Sequence, residues 1–148
     1  MIVPDVNILI YAYDSRAIDH VPARQWWEST LEGSRPVGMP WITILGFLRI
    51  VTKRAIFDDP FRPADAIRRV RAWLSQPHVQ ILTPGEGHAE ILFGFLEKLG
   101  VAGDLTTDAH LAALAIEYQA ELATTDADFA RFPGLRWFNP LTAKTGRN

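Results

Sequence analysis

The chain has 148 residues, of which 48 % are apolar and 22 % charged. These proportions belong to a globular protein and exclude disordered and fibrous classes; the length suits one domain rather than two. There are no cysteines, so disulfide scaffolds, thiolate zinc sites and cysteine nucleophiles are excluded. A net charge of −2 excludes a polybasic binder but leaves room for a local basic patch.

No apolar run approaches the roughly 20 residues of a membrane span. The start, Met1-Ile2-Val3-Pro4-Asp5, lacks the basic opening of a signal peptide. The expectation is therefore a cytoplasmic protein that does not enter a membrane. Residues 1–141 are read as one domain and 142–148 as a polar C-terminal tail.

In chain order, Ile2–Val3 is a strand candidate and Asn7–Tyr13 the first helix. Val21–Leu31 is a second helix, with Pro22 at a tolerated first-turn position. Trp41–Arg54 is a third, and Pro63–Leu74 a fourth, again begun by proline. Val79–Leu82 is a strand. Gly87–Leu99 carries Ile91, Leu92, Phe95, Leu96 and Leu99 at helical spacing. Leu105–Tyr118 is apolar on nearly every face, as a helix packed between a sheet and its neighbours would be. Glu121–Thr124 is a strand, Asp126–Phe132 a short helix, and Leu135–Phe138 a last strand. Strands separated by helices predict an α/β protein with a short, mainly parallel sheet covered on both faces. Such sheets bind ligands at the carboxyl ends of their strands.

Carboxylates collect at those ends. Asp5 follows the first strand, with Asn7 two residues on; Asp126 and Asp128 follow Glu121–Thr124. Each also fits a helix N-cap, worth about 1 kcal/mol. Asp108 stands in the first turn of the apolar helix, where an acid complements the helix dipole, and Asp104 lies one turn before it, as a further member of the cluster or as the cap. Brought together, these acids repel one another and burial raises their pKa values. A hard divalent cation relieves that penalty, and Mg²⁺ suits one or two carboxylates, several waters and phosphate oxygens.

Four segments spanning most of the chain carry a resemblance. They are Ile2-Val3-Pro4-Asp5-Val6-Asn7, Gly46-Phe47-Leu48-Arg49-Ile50, Gly103-Asp104-Leu105-Thr106-Thr107-Asp108-Ala109-His110-Leu111-Ala112-Ala113-Leu114-Ala115, and Leu122-Ala123-Thr124-Thr125-Asp126-Ala127-Asp128-Phe129. In this order they resemble the PIN domain, specifically the VapC-type toxins of bacterial toxin–antitoxin pairs. The resemblance implies a three-layer α/β/α fold and metal-dependent endonucleolytic hydrolysis of RNA. It implies Asp5, Asp108 and Asp126 as the catalytic acids, with Asp5 and Asp108 holding Mg²⁺ or Mn²⁺. Asn7, as the residue orienting Asp5, together with Asp128, Asp104 and Arg49, would support them. It further implies a VapB-type antitoxin as partner and a homodimer.

One position departs from the pattern. Many members place a Glu three residues before the arginine of the third helix; here Gly46 stands there, with Arg49 kept. The competing reading is therefore a catalytically weak or silent PIN-like module that binds RNA or protein. An Asp-nucleophile phosphatase ranks lower, since it pairs its first Asp with another two residues on, where this chain has Asn7. For RNA contact, Arg68 and Arg71 lie at i and i+3 and share a helix face, although a solvated face explains them slightly better. The histidines His20, His78, His88 and His110 are read as structural. The five tryptophans are read as core or interface rather than base-stacking platforms.

Overall fold

In the computed structural model, residues 1–57, 59–100 and 102–142 are described; most of the expected polar tail, 143–148, lies outside them. The chain runs β1 (Ile2–Pro4), α1 (Val6–Tyr13), α2 (His20–Glu32), β2 (Val37–Pro40), α3 (Trp41–Val51), α4 (Pro63–Leu74), β3 (Val79–Leu82), α5 (His88–Leu99), α6 (Leu105–Glu117), β4 (Glu121–Ala123) and β5 (Arg136–Phe138). A 3₁₀ turn, Ala127–Arg131, stands where the sequence predicts a short last helix. No helix among the described residues is long and apolar enough to cross a membrane.

The five strands form one sheet in the order β3-β2-β1-β4-β5, and every pairing is parallel. β2 is the element that sequence reading missed. Its residues, Val37-Gly38-Met39-Pro40, include glycine and proline, both depleted in strands. The fold explains the glycine: a Cβ on Gly38 would lie 2.5 Å from Leu82 Cδ1 on neighbouring β3. Pro40 ends the strand and supplies the extended residue before α3.

Two apolar layers sandwich the sheet. On one face, Ile8, Leu9, Trp27, Phe47, Val70 and Trp73 from α1–α4 pack on Val37, Met39 and Val79. On the other, Phe95 of α5 and Ala109, Leu111, Ala112 and Ala113 of α6 pack on Val3, Leu82 and Leu122. α4 matches its sequence bounds because Pro63 sits in its first turn and Ala66, Val70 and Trp73 give it one buried stripe. In α1, Ile8 and Leu9 are fully buried, each contributing about 1.5–3 kcal/mol. That exceeds the ~1 kcal/mol of a cap, so packing, not the capping of Asp5, holds α1 against the sheet.

The first layer is closed by rings. Phe47 and Trp73 meet with centroids 4.6 Å apart, and Trp27 meets Trp73 edge-on at 5.5 Å. The Trp73 indole N–H donates to Tyr13 Oη at 2.9 Å.

Candidate active site

From β1 the chain moves outward through β2 to β3, then returns to place β4 and β5 on the other side of β1. The crevice between β1 and β4, at their carboxyl ends, is thus a topological switch point, where parallel sheets bind ligands. Asp5 leaves β1 there and Asp126 follows β4. α6 brings in Asp108 and α3 brings in Arg49. Together with Asn7, Thr43 and Gly46 they line a cleft of about 310 Å³.

Asp5 is 7 % exposed and tightly held. Val6 N donates to its Oδ1 at 2.7 Å, and Thr124 Oγ1 donates to its Oδ2 at 2.8 Å. The Asp126 backbone N–H donates in turn to Thr124 Oγ1 at 3.0 Å, so one fully buried hydroxyl joins the two strand ends. Thr43 Oγ1, also buried, donates to Pro4 O at 3.0 Å and ties α3 to β1 just before Asp5. Sequence reading gave neither threonine a role. The available signal was Thr124, a polar residue directly following a buried apolar strand.

The electrostatics are unbalanced. Burial pushes the Asp108 carboxyl up to about 6, helped by the charges of Asp5, Asp126 and Asp128. Burial also raises Asp5, with Asp126 adding to the effect, against the lowering by the Thr124 and Val6 hydrogen bonds. Arg49 lines the same cleft, yet has no ion-pair partner among the described residues. Excess carboxylate charge and an all-oxygen donor set fit a hard divalent cation such as Mg²⁺ or Mn²⁺. Among the described residues no three His, Asp or Glu side chains stand together as a ready-made ligand set. An ion held here would take one or two carboxylates directly and keep several waters.

Not every expected residue joins. Asn7 lines the cleft but does not orient Asp5, whose side-chain bonds come from Val6 and Thr124. Asp128 acts on Asp108 through its charge and donates its backbone N–H to Asp126 Oδ1 at 2.8 Å. Asp104 precedes α6 without a side-chain capping bond and does not line the cleft. Arg68 pairs with Asp65 at 3.3 Å on α4, and neither it nor Arg71 lines the cleft.

The structure gives His110 a histidine partner on α5: His88 Nε2 and His110 Nδ1 are 2.9 Å apart. His88 Nδ1 meets Glu117 Oε1 at 2.6 Å, and Glu117 Oε2 accepts from Gly85 N at 3.0 Å. Spacing along α6 could not reveal a partner on α5.

Gly46 also finds a physical reason. A Cβ there would lie 3.1 Å from Val6 Cγ2, so the glycine lets α3 approach the start of α1 beside Asp5.

Residues 2–135 match the PIN domain family. The chain is 48 % identical over 141 residues to Ribonuclease VapC33 of Mycobacterium tuberculosis, covering 95 % of this chain and 99 % of that protein. It is 39 % identical over 140 residues to Ribonuclease VapC37 of the same organism, covering 95 % and 97 %. Among solved structures, VapBC2 from Rickettsia felis superposes with a TM-score of 0.67 at 19 % identity, covering 94 % of this chain and 98 % of that one. M. tuberculosis VapC20 gives 0.67 at 18 %, covering 92 % and 99 %. At those identities the superpositions speak for the fold.

Proposed function

We propose that this chain, which belongs to the PIN-domain family, is an endoribonuclease that hydrolyses RNA phosphodiester bonds as the toxin of a VapBC-type pair. One observation carries the reading: carboxylates from three distant segments, at 5, 108 and 126, line one cleft with a guanidinium that has no ion-pair partner among the described residues. Relatives at 48 % and 39 % identity are named ribonucleases, which supports extending that activity to this chain. A VapB-type antitoxin as partner and a homodimer follow from the same kinship.

Asp5 and Asp108 would hold Mg²⁺ or Mn²⁺, which when bound supplies a hydroxide at neutral pH and stabilises charge on the phosphate. A carboxylate has about four lone-pair sites. Two on Asp5 are taken by Val6 and Thr124, and these bonds fix the direction of the rest. Asp126 completes the acidic rim, through water where it does not ligate directly. Arg49 offers a planar fork that matches phosphate oxygens and sits where it can hold the substrate against the acids. Asn7 lines the cleft, where its amide could contact substrate or water.

The competing reading, a silent binding module, draws on Gly46. The closeness of Val6 accounts for that glycine through packing alone. Purified protein incubated with bulk RNA and Mn²⁺ separates the two readings. A nuclease gives fragments that a chelator suppresses, and Asp5→Ala or Asp108→Ala lowers the rate at least about a hundredfold. An intact RNA pool, or fragments unchanged in both variants, rejects the nuclease reading.

A further inference from the structure

Of the four histidines, His20 and His78 each bond a backbone carbonyl, of Tyr11 and of Thr30. His88 and His110 instead face each other, with 2.9 Å between Nε2 and Nδ1. The far end of this chain of bonds fixes its tautomers. The Glu117 carboxylate can only accept: Oε2 takes the Gly85 N–H at 3.0 Å, and Oε1 stands 2.6 Å from His88 Nδ1. His88 Nδ1 therefore carries a hydrogen, and the neutral ring turns the lone pair of its Nε2 towards His110. Only one hydrogen fits between two ring nitrogens at this separation, and it is the one on His110 Nδ1. His88 opens α5 and is buried, whereas His110 stands in the second turn of α6 and is half-buried. Solvent thus reaches the pair from the His110 side.

We propose that His88 Nε2 and His110 Nδ1 form a second cation site, for a borderline transition ion such as Zn²⁺, with Glu117 orienting His88 from behind. Imidazole nitrogen suits zinc, copper and nickel, whereas the oxygen donors of the acidic cleft suit magnesium and manganese. The two sites on α6 therefore select different ions. Binding needs no net loss of a proton. The hydrogen on His110 Nδ1 passes through solvent to Nε2 of the same ring, and both facing nitrogens then carry lone pairs. Two nitrogens on a tetrahedral zinc stand roughly 3.3 Å apart, so the rings must part by about 0.4 Å from their present 2.9 Å. The half-buried His110 makes that move, because Glu117 holds His88. A carboxylate behind a ligating histidine fixes its tautomer and raises its basicity, and Glu117 is itself anchored by the Gly85 N–H. No third side chain completes a ligand set among the described residues, so water takes the remaining positions. The ion would join α5 to α6 where the hydrogen bond already joins them, and its effect falls on stability.

The test titrates tag-free, full-length protein with Zn²⁺ in a calorimeter, as wild type and as Asp108→Asn, which weakens the acidic cleft. A zinc site that survives Asp108→Asn is expected. Adding His110→Ala should weaken it at least about a hundredfold, the upper end of what losing an outer partner costs, and adding Glu117→Gln about tenfold. Thermal melts should follow the same pattern: Zn²⁺ raises the melting temperature of Asp108→Asn and leaves that of the His110→Ala double variant unmoved. Wild-type crystals soaked in Zn²⁺ supply a readout that needs no variant. An anomalous peak is expected at about 2.0–2.1 Å from both His88 Nε2 and His110 Nδ1. Zinc affinity unchanged by His110→Ala, an anomalous peak confined to the acidic cleft, or wild-type protein that takes up no Zn²⁺ overturns the site.

Discussion

Two polar clusters share helix α6, and they differ in how their charges are met. Asp108 and His110 are two residues apart, about 200° around the helix axis, so they serve opposite neighbours. Around His110 the polar groups are matched: His88 bridges it to Glu117, and Glu117 also takes the Gly85 N–H. Around Asp108 they are not: burial raises its pKa, and three further carboxylates add to the rise. The satisfied cluster reads as a strut between α5 and α6. The unbalanced one carries excess negative charge of the kind a divalent cation would neutralise. Burial is common to both, so burial of polar groups does not by itself distinguish structure from function. The sign balance does.

The largest effect expected from this contrast concerns Asp108. Its folded-state pKa of about 6 lies above the ordinary 3.8. The contribution of Asp108 to stability is therefore full below pH 3.8 and is lost as pH rises through about 6. Metal-free protein should melt higher at pH 5 than at pH 7.5, and saturating Mg²⁺ should narrow the gap. Asp108→Asn should flatten the metal-free profile and abolish stabilisation by Mg²⁺ in calorimetry. A steep profile retained in Asp108→Asn would move the imbalance elsewhere.

Next in size is His88→Ala, which removes the partner of Glu117 Oε1 and of His110 Nδ1 at an expected cost of roughly 1–3 kcal/mol. The melting temperature should fall by several degrees, since 1 kcal/mol corresponds to about 2–4 °C at this chain length. Mg²⁺ should still raise the variant's melting temperature as much as it raises the wild type's. A weakened metal response would mean that the strut and the acidic site are one unit.

Thr124→Val is smaller in stability, about 1 kcal/mol for the lost hydrogen bond, but specific in consequence. Without its hydroxyl, Asp5 loses a bond that lowers its pKa, and Mg²⁺ affinity should drop about tenfold or more. Thr124→Ser should recover it in titration calorimetry. The smallest effect is expected on α4. Arg68 is exposed and paired to Asp65, so reversing Arg68 and Arg71 to Glu should alter RNA affinity less than Arg49→Ala does. A larger loss, or a markedly flattened salt dependence, would extend the RNA path across α4.

Sequence reading reached the acids because they obey local rules. Each follows a short apolar strand or opens an apolar helix, and the parallel-sheet rule sends those positions to one edge. Five of the six α-helices carried punctuation or periodicity strong enough to fix them within about two residues; α3 ends three residues earlier than expected, at Val51. What escaped was pairwise. Gly38 looks like a turn until Leu82 is seen beside it. Thr124 serves Asp5 from 119 residues away, and His88 meets His110 across two helices. Trp41 was grouped with the core tryptophans because composition cannot separate it from Trp27 and Trp73, which are 1 % exposed. None of these facts has a period or a motif.

The Thr124 hydroxyl has a consequence for the order of folding. It ties Asp5 to a residue 119 positions further along the chain, a contact whose loop-closure entropy must be met before the bond rewards it. Val6 can hold one oxygen of Asp5 as soon as α1 forms, but the second is fixed only once β4 has paired with β1.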